Sequence, residues 1–65
     1  MLTVGFVYSE VLALCGVANA TEIRQRLYEA AHFGVYVVGL SVTTHLQQLE
    51  VTLSNGKVIK YKTYC

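Results

Sequence analysis

Asn55-Gly56 restricts the fold of this chain more than any other pair of residues. An Asn-Gly dipeptide accepts the left-handed backbone of a tight turn and is the strongest short-range hairpin signal. It stands between two runs rich in Val, Ile, Thr and Tyr, residues 51–53 and 57–63, which read as strands. A two-residue turn sets Leu53 opposite Val58 and Thr52 opposite Ile59. A three-residue loop with a bulge at Gly56 sets Val51 opposite Ile59, which groups the apolar side chains better. The residues leave both registers open.

The hairpin must pack on something, and the rest of the chain is short. Sixty-five residues make one domain, 1–65, with a thin core. The composition is 54% hydrophobic and 14% charged, too apolar for disorder and more apolar than a small monomer usually leaves in water. A second copy of the chain is the simplest cover. Net charge is +1, from Arg24, Arg26, Lys57, Lys60 and Lys62 against Glu10, Glu22, Glu29 and Glu50. That is a weak overall footprint for nucleic acid, although residues 51–65 hold three Lys and no acid.

Residues 3–15 are expected to form a first helix. Val7, Val11, Leu14 and Cys15 recur at helical spacing, Thr3 is placed as N-cap, and Gly16 is placed to end the helix. A short strand at 2–7 is the competing reading. The spacing predicts a second helix over 20–32, with Ile23, Leu27, Ala30 and Ala31 inward. Asn19 and Glu22 suggest a capping box, and Gly34 a stop. Residues 2–20 are apolar and end in Ala18-Asn19-Ala20, as a cleavable leader would. They carry no Lys or Arg and are interrupted by Glu10, so they read as a core helix, too broken to span a membrane. A cytoplasmic protein is expected. Residues 35–39 read as a short strand, after which Gly39 is expected to turn the chain.

The segment 41–50 is expected to be a third helix, with Ser41 as N-cap and Val42, Leu46 and Leu49 at i, i+4 and i+7. Its other face would carry Thr43, Thr44, Gln47 and Gln48, hydroxyls and amides in place of the usual charges. This polar-faced helix, of the form L-S-x-x-T-x-x-x-L-x-x-L-E, followed by a two-stranded wing, resembles the recognition helix and wing of winged helix-turn-helix DNA-binding proteins over residues 20–62. The resemblance implies an α+β domain of three helices, a short strand before the third, and a C-terminal hairpin wing. It implies sequence-specific binding of double-stranded DNA, as in a small dimeric regulator of transcription or recombination from a phage or mobile element. Ser41, Thr43, Thr44, Gln47 and Gln48 would face base edges in the major groove. Lys57 and Lys60 would meet phosphate from the wing, and Arg24 and Arg26 from the second helix. Phe6 and Tyr8 on the first helix would form the dimer seam.

Nothing in the chain organises catalysis. His32 and His45 stand apart from any nucleophile, Asp is absent, and no two of the four Glu form a close pair on one helix face. Cys15 and Cys65 lack metal-ligand spacing, and a buried thiol with a terminal one is the expected reading. The glycines are isolated, with no phosphate-loop pattern, so no cofactor or metal is expected. The alternative function is a protein–protein interaction module that never touches nucleic acid. The two readings part on charge placement. Arg24, Arg26, Lys57 and Lys60 sharing a face with Thr43 and Gln47 would favour DNA.

Overall fold

A computed structural model describes residues 2–64. Among them, helices α1 (Val4–Cys15) and α2 (Val17–Ala31) precede strands β1 (Val37–Thr43), β2 (Gln48–Leu53) and β3 (Val58–Lys62), with a single 3-10 turn at Thr44–Leu46. The strands form one antiparallel sheet in the order β1-β2-β3. The class is α+β, with two helices and a three-stranded sheet.

The helices form where their signals lie. Thr3 caps α1, its Oγ1 accepting from the Phe6 amide at 3.1 Å. Val7, Val11 and Cys15, one per turn, are fully buried. Gly16 then reverses the chain in one residue at φ +91°, a conformation that glycine adopts without strain. A side chain there would also put its Cβ 2.7 Å from the Tyr64 ring. Because α2 starts at Val17, Asn19 lies inside its first turn and does not cap it. The Asn19 amide donates instead to the Cys15 carbonyl at 3.1 Å, closing the end of α1. Gly34, at φ +74°, stops α2; its amide and that of Val35 bond to Ala31 and Ala30 carbonyls, each at 3.0 Å.

Both helices cover one face of the sheet. Ala20, Ile23 and Leu27 of α2 join the α1 stripe over Val37, Leu49, Val51, Leu53, Ile59 and Tyr61. Alternation along β2 and β3 sends every second side chain inward. Val51 pairs with Ile59 and Thr52 with Val58, so the three-residue loop is the one used. Gly56, at φ +90°, provides the bulge.

The third helix is absent. Residues 41–43 finish β1, 44–46 make the 3-10 turn, and β2 starts at Gln48. The strand expected over 35–39 therefore begins later and runs to Thr43, and Gly39 is not a turn but a ladder position opposite Thr52. The physical reason is that the alternation Leu49, Val51, Leu53 along β2 puts all three side chains into the core, with Leu40 of β1 partly buried beside them. The β-branched Val42, Thr43, Thr44, Val51 and Thr52 favour the extended form. Of the core expected from this segment only Leu49 is fully buried; Leu46 is 61% exposed and Val42 43%. Leu14 is partly buried. Without that helix, the recognition-helix-and-wing arrangement has no counterpart in the described residues.

Candidate binding surfaces

Every buried side-chain nitrogen or oxygen among the described residues has a partner, and no three of their His, Cys, Asp and Glu side chains gather as a metal site. The available polar chemistry is therefore on the surface. Cys65 lies outside the described residues; Cys15 is buried in the core. None of the described helices is long and apolar enough to cross a membrane.

The first surface is the face of the sheet turned away from the helices. Register aligns its side chains in rungs: Thr43 with Gln48 and Lys62, then Ser41 with Glu50 and Lys60. The Gln48 amide donates to Glu50 Oε1 at 3.0 Å. At one end of this face, Leu46, Gln47, Gln48, Lys60, Tyr61 and Lys62 line an open hollow of about 290 Å³. Ser41, Thr43, Gln48 and Lys60 thus share a face, with Gln47 and Thr44 in the adjoining turn. The folding that unites them is strand pairing, not a helix. Lys62 and Glu50 belong to the same face, and the alternation Lys60-Tyr61-Lys62 is the sequence signal that places Lys62 there.

The remaining cations are elsewhere. Arg24 lies on α2, its guanidinium 4.9 Å from the centre of the Tyr8 ring. The Arg26 Nε is 3.9 Å from Glu22 Oε1, and the same oxygen accepts from the Tyr61 hydroxyl at 2.8 Å. Burial, then the bond to Glu22 and its charge, push the Tyr61 phenol up to about 12. Lys57 is in the β2–β3 turn, where its amide donates to Asn55 Oδ1 at 3.0 Å. Arg24, Arg26 and Lys57 therefore do not join Lys60 on the open sheet face, and the charge gathering that would favour DNA is not formed.

The second surface is the outer side of α1. Gly5, Phe6, Ser9, Leu12 and Ala13 are all exposed and none is charged. Phe6 is 48% and Leu12 41% exposed. Tyr8, the other residue expected in a dimer seam, is half-buried and already occupied by Arg24. Comparisons of the chain with protein-family models, curated proteins and solved structures each give no match.

Proposed function

We propose that this chain is a non-enzymatic binding module that pairs with a second copy through the outer side of α1, leaving the polar sheet face open to a further protein partner. The observation that carries the reading is the uncharged row Gly5, Phe6, Ser9, Leu12 and Ala13. Apolar side chains left together in water mark interaction sites. An isologous pair sets the same patch against itself, and the five exposed residues bring no charge to it, with the half-buried Glu10 at its border one turn from Phe6. Phe6, not Tyr8, is the centre of the seam, since Tyr8 is engaged within its own chain.

The test is sedimentation equilibrium on the wild type, Phe6→Glu and Leu12→Glu. A concentration-dependent dimer is expected, and each Glu variant should be monomeric. Melting of the separated monomer should be unaltered, because both positions are exposed and surface changes cost within about 0.5 kcal/mol. A wild type that stays monomeric at millimolar concentration ends this reading, as does a dimer indifferent to both substitutions.

The sheet face favours a second reading, double-stranded DNA binding, now without a helix in the groove. Antiparallel strands can also enter a major groove. Thr43 and Gln48 would then meet base edges, and Lys60 and Lys62 phosphate. Glu50, at the middle of that face, opposes an anionic partner, which is why this reading stands second. Replacing Lys60 and Lys62 by Ala should then lower the salt slope of duplex binding by about two, with Arg24→Ala and Lys57→Ala without effect. Absence of any duplex retention at low salt removes it.

A further inference from the structure

We infer that the two copies also join at the β1 edge, strand against strand, so that one antiparallel sheet runs through the dimer. This rests on the pairing of copies proposed above and adds a second contact to it. The two outer strands of the sheet are unlike. β3 carries Lys60 and Lys62, with Lys57 just before it, charges of the kind that keep an edge from pairing. β1 carries no charge and no Pro. Its first half is closed another way: the Leu2 amide donates to the Val37 carbonyl at 3.1 Å, and a bulge follows between Val37 and Gly39.

Bond directions fix what the second half offers. The Leu53 amide donates to the Lys57 carbonyl and the Gln47 carbonyl accepts from the Thr63 amide, so the odd-numbered residues of β2 turn their backbone groups toward β3. Gln48, Glu50 and Thr52 therefore turn theirs toward β1, where they meet Thr43, Ser41 and Gly39. The N–H and C=O of Leu40 and Val42 are left pointing out of the sheet, and among the described residues no backbone bond reaches them. A two-fold axis at Ser41 sets Leu40 against the partner's Val42, and Val42 against the partner's Leu40. Outward groups then meet outward groups, and each pair can exchange both N–H···O bonds. Leu40 and Val42 oppose Val51 and Leu49, so their side chains lie on the helix side. There Leu40 is only partly buried and Val42 is 43% exposed, and joined edges would cover both. On the open face the nearest charges, Glu50 and Lys60, stand one and two strands back from the axis.

The α1 patch looks the same way. α1 starts beside β1, where Leu2 bonds to Val37, whereas α2 shares a groove with the β2–β3 hairpin through Arg26, Ala30, Leu53 and Ile59. Tyr8 is turned to α2, where Arg24 covers it. Phe6 is roughly 200° round the helix from Tyr8, on the side away from α2. Glu10, the one charge of α1, is half-buried one turn from Phe6, so the seam carries a charge at its border.

Amide hydrogen exchange on the wild-type chain tests the edge. Leu40 and Val42 should exchange at least about tenfold more slowly in the dimer than in the diluted monomer, while Ser41 and Thr43, turned to β2, are protected in both. A dimer mixed from isotope-labelled and unlabelled chains should show contacts between Leu40 and the partner's Val42. Val42→Lys gives β1 the kind of charge that β3 carries. It should weaken the dimer by about tenfold or more and leave melting of the monomer unaltered, since Val42 is exposed. A dimer in which the Leu40 and Val42 amides exchange freely, or one indifferent to Val42→Lys, overturns the edge and leaves the α1 seam standing. Contacts from Leu40 to β3 of the other copy, a head-to-tail pairing, overturn it too. Edge protection in a dimer that ignores Phe6→Glu and Leu12→Glu upholds the edge and removes the seam. A wild type that stays monomeric ends both.

Discussion

The β2–β3 turn is written in its own residues. Asn55 Oδ1 accepts from the Lys57 amide, Gly56 takes φ +90°, and the Leu53 carbonyl accepts from the Gly56 amide at 3.0 Å. The β1–β2 turn has none of this chemistry. It contains no Gly, Pro, Asn or Asp, and it holds Gln47 at φ +51°. A non-glycine residue in that region costs about 1 kcal/mol or more, so something outside the turn must impose it. What lies outside is the burial of Leu49 and Val51 on β2 and the bond from the Thr63 amide to the Gln47 carbonyl at 2.9 Å. One turn directs its strands; the other is directed by them.

The largest effect should follow from removing what holds the second turn in place. Leu49 is fully buried and pairs with Val42 and Tyr61. Leu49→Ala should cost about 2–5 kcal/mol in urea unfolding. A loss below 1 kcal/mol would mean that β2 burial does not set the turn, and the contrast would fail.

Next comes the self-directed turn. Nothing crowds a Cβ at Gly56, so Gly56→Ala isolates the cost of φ +90°. About 1–2 kcal/mol is expected from the same unfolding measurement. An unchanged midpoint would show that the strands direct this turn too.

These turns also explain how much of the molecule was legible in advance. The Asn55-Gly56 hairpin, the Thr3 cap, and the Gly16 and Gly34 stops were readable because each is a local signal acting within a few residues. Segment 41–49 was misread because its decisive signal is not local. Val42, Leu46 and Leu49 fit a helical stripe, and no turn residue between them breaks it. Only the pairing of β2 with both neighbours makes the extended form better, and pairing partners are not visible in a single stretch. The same fact governs the sheet face: the residue types at Ser41, Thr43, Gln48 and Lys60 were legible, but their meeting by register was not. Arg24 and Arg26 are exposed on α2, but the helix spacing could not say that Tyr8 and Glu22 are their neighbours.

Tyr61 ties the strand-directed end of the sheet to α2. Its phenol ionises near 10 when unfolded and is pushed up to about 12 in the fold, so the fold favours the neutral form. The stabilisation is complete below pH 10 and is lost as pH rises from 10 to about 12. Tyr61→Phe should cost about 1 kcal/mol at neutral pH through the lost bond to Glu22. It should also flatten the loss of stability over that alkaline range in a pH series of thermal melts. A variant that keeps the wild-type alkaline slope would place its origin elsewhere.

The smallest effect belongs to Leu46. At 61% exposure in the 3-10 turn it contributes little, and Leu46→Ala should stay within about 0.5 kcal/mol. Were the segment a helix with Leu46 inward, the same change would cost about 2–5 kcal/mol.

Whether the open polar face exists depends on residues 41–49 being strand, turn and strand. Backbone carbon chemical shifts over 37–53, with cross-strand proton contacts, measure this directly. Extended shifts are expected over Val37–Thr43 and Gln48–Leu53, with a break at Thr44–Leu46 and contacts from Ser41 to Glu50 and from Thr43 to Gln48. An unbroken run of helical shifts from 41 to 50, with no such contacts, would contradict that arrangement.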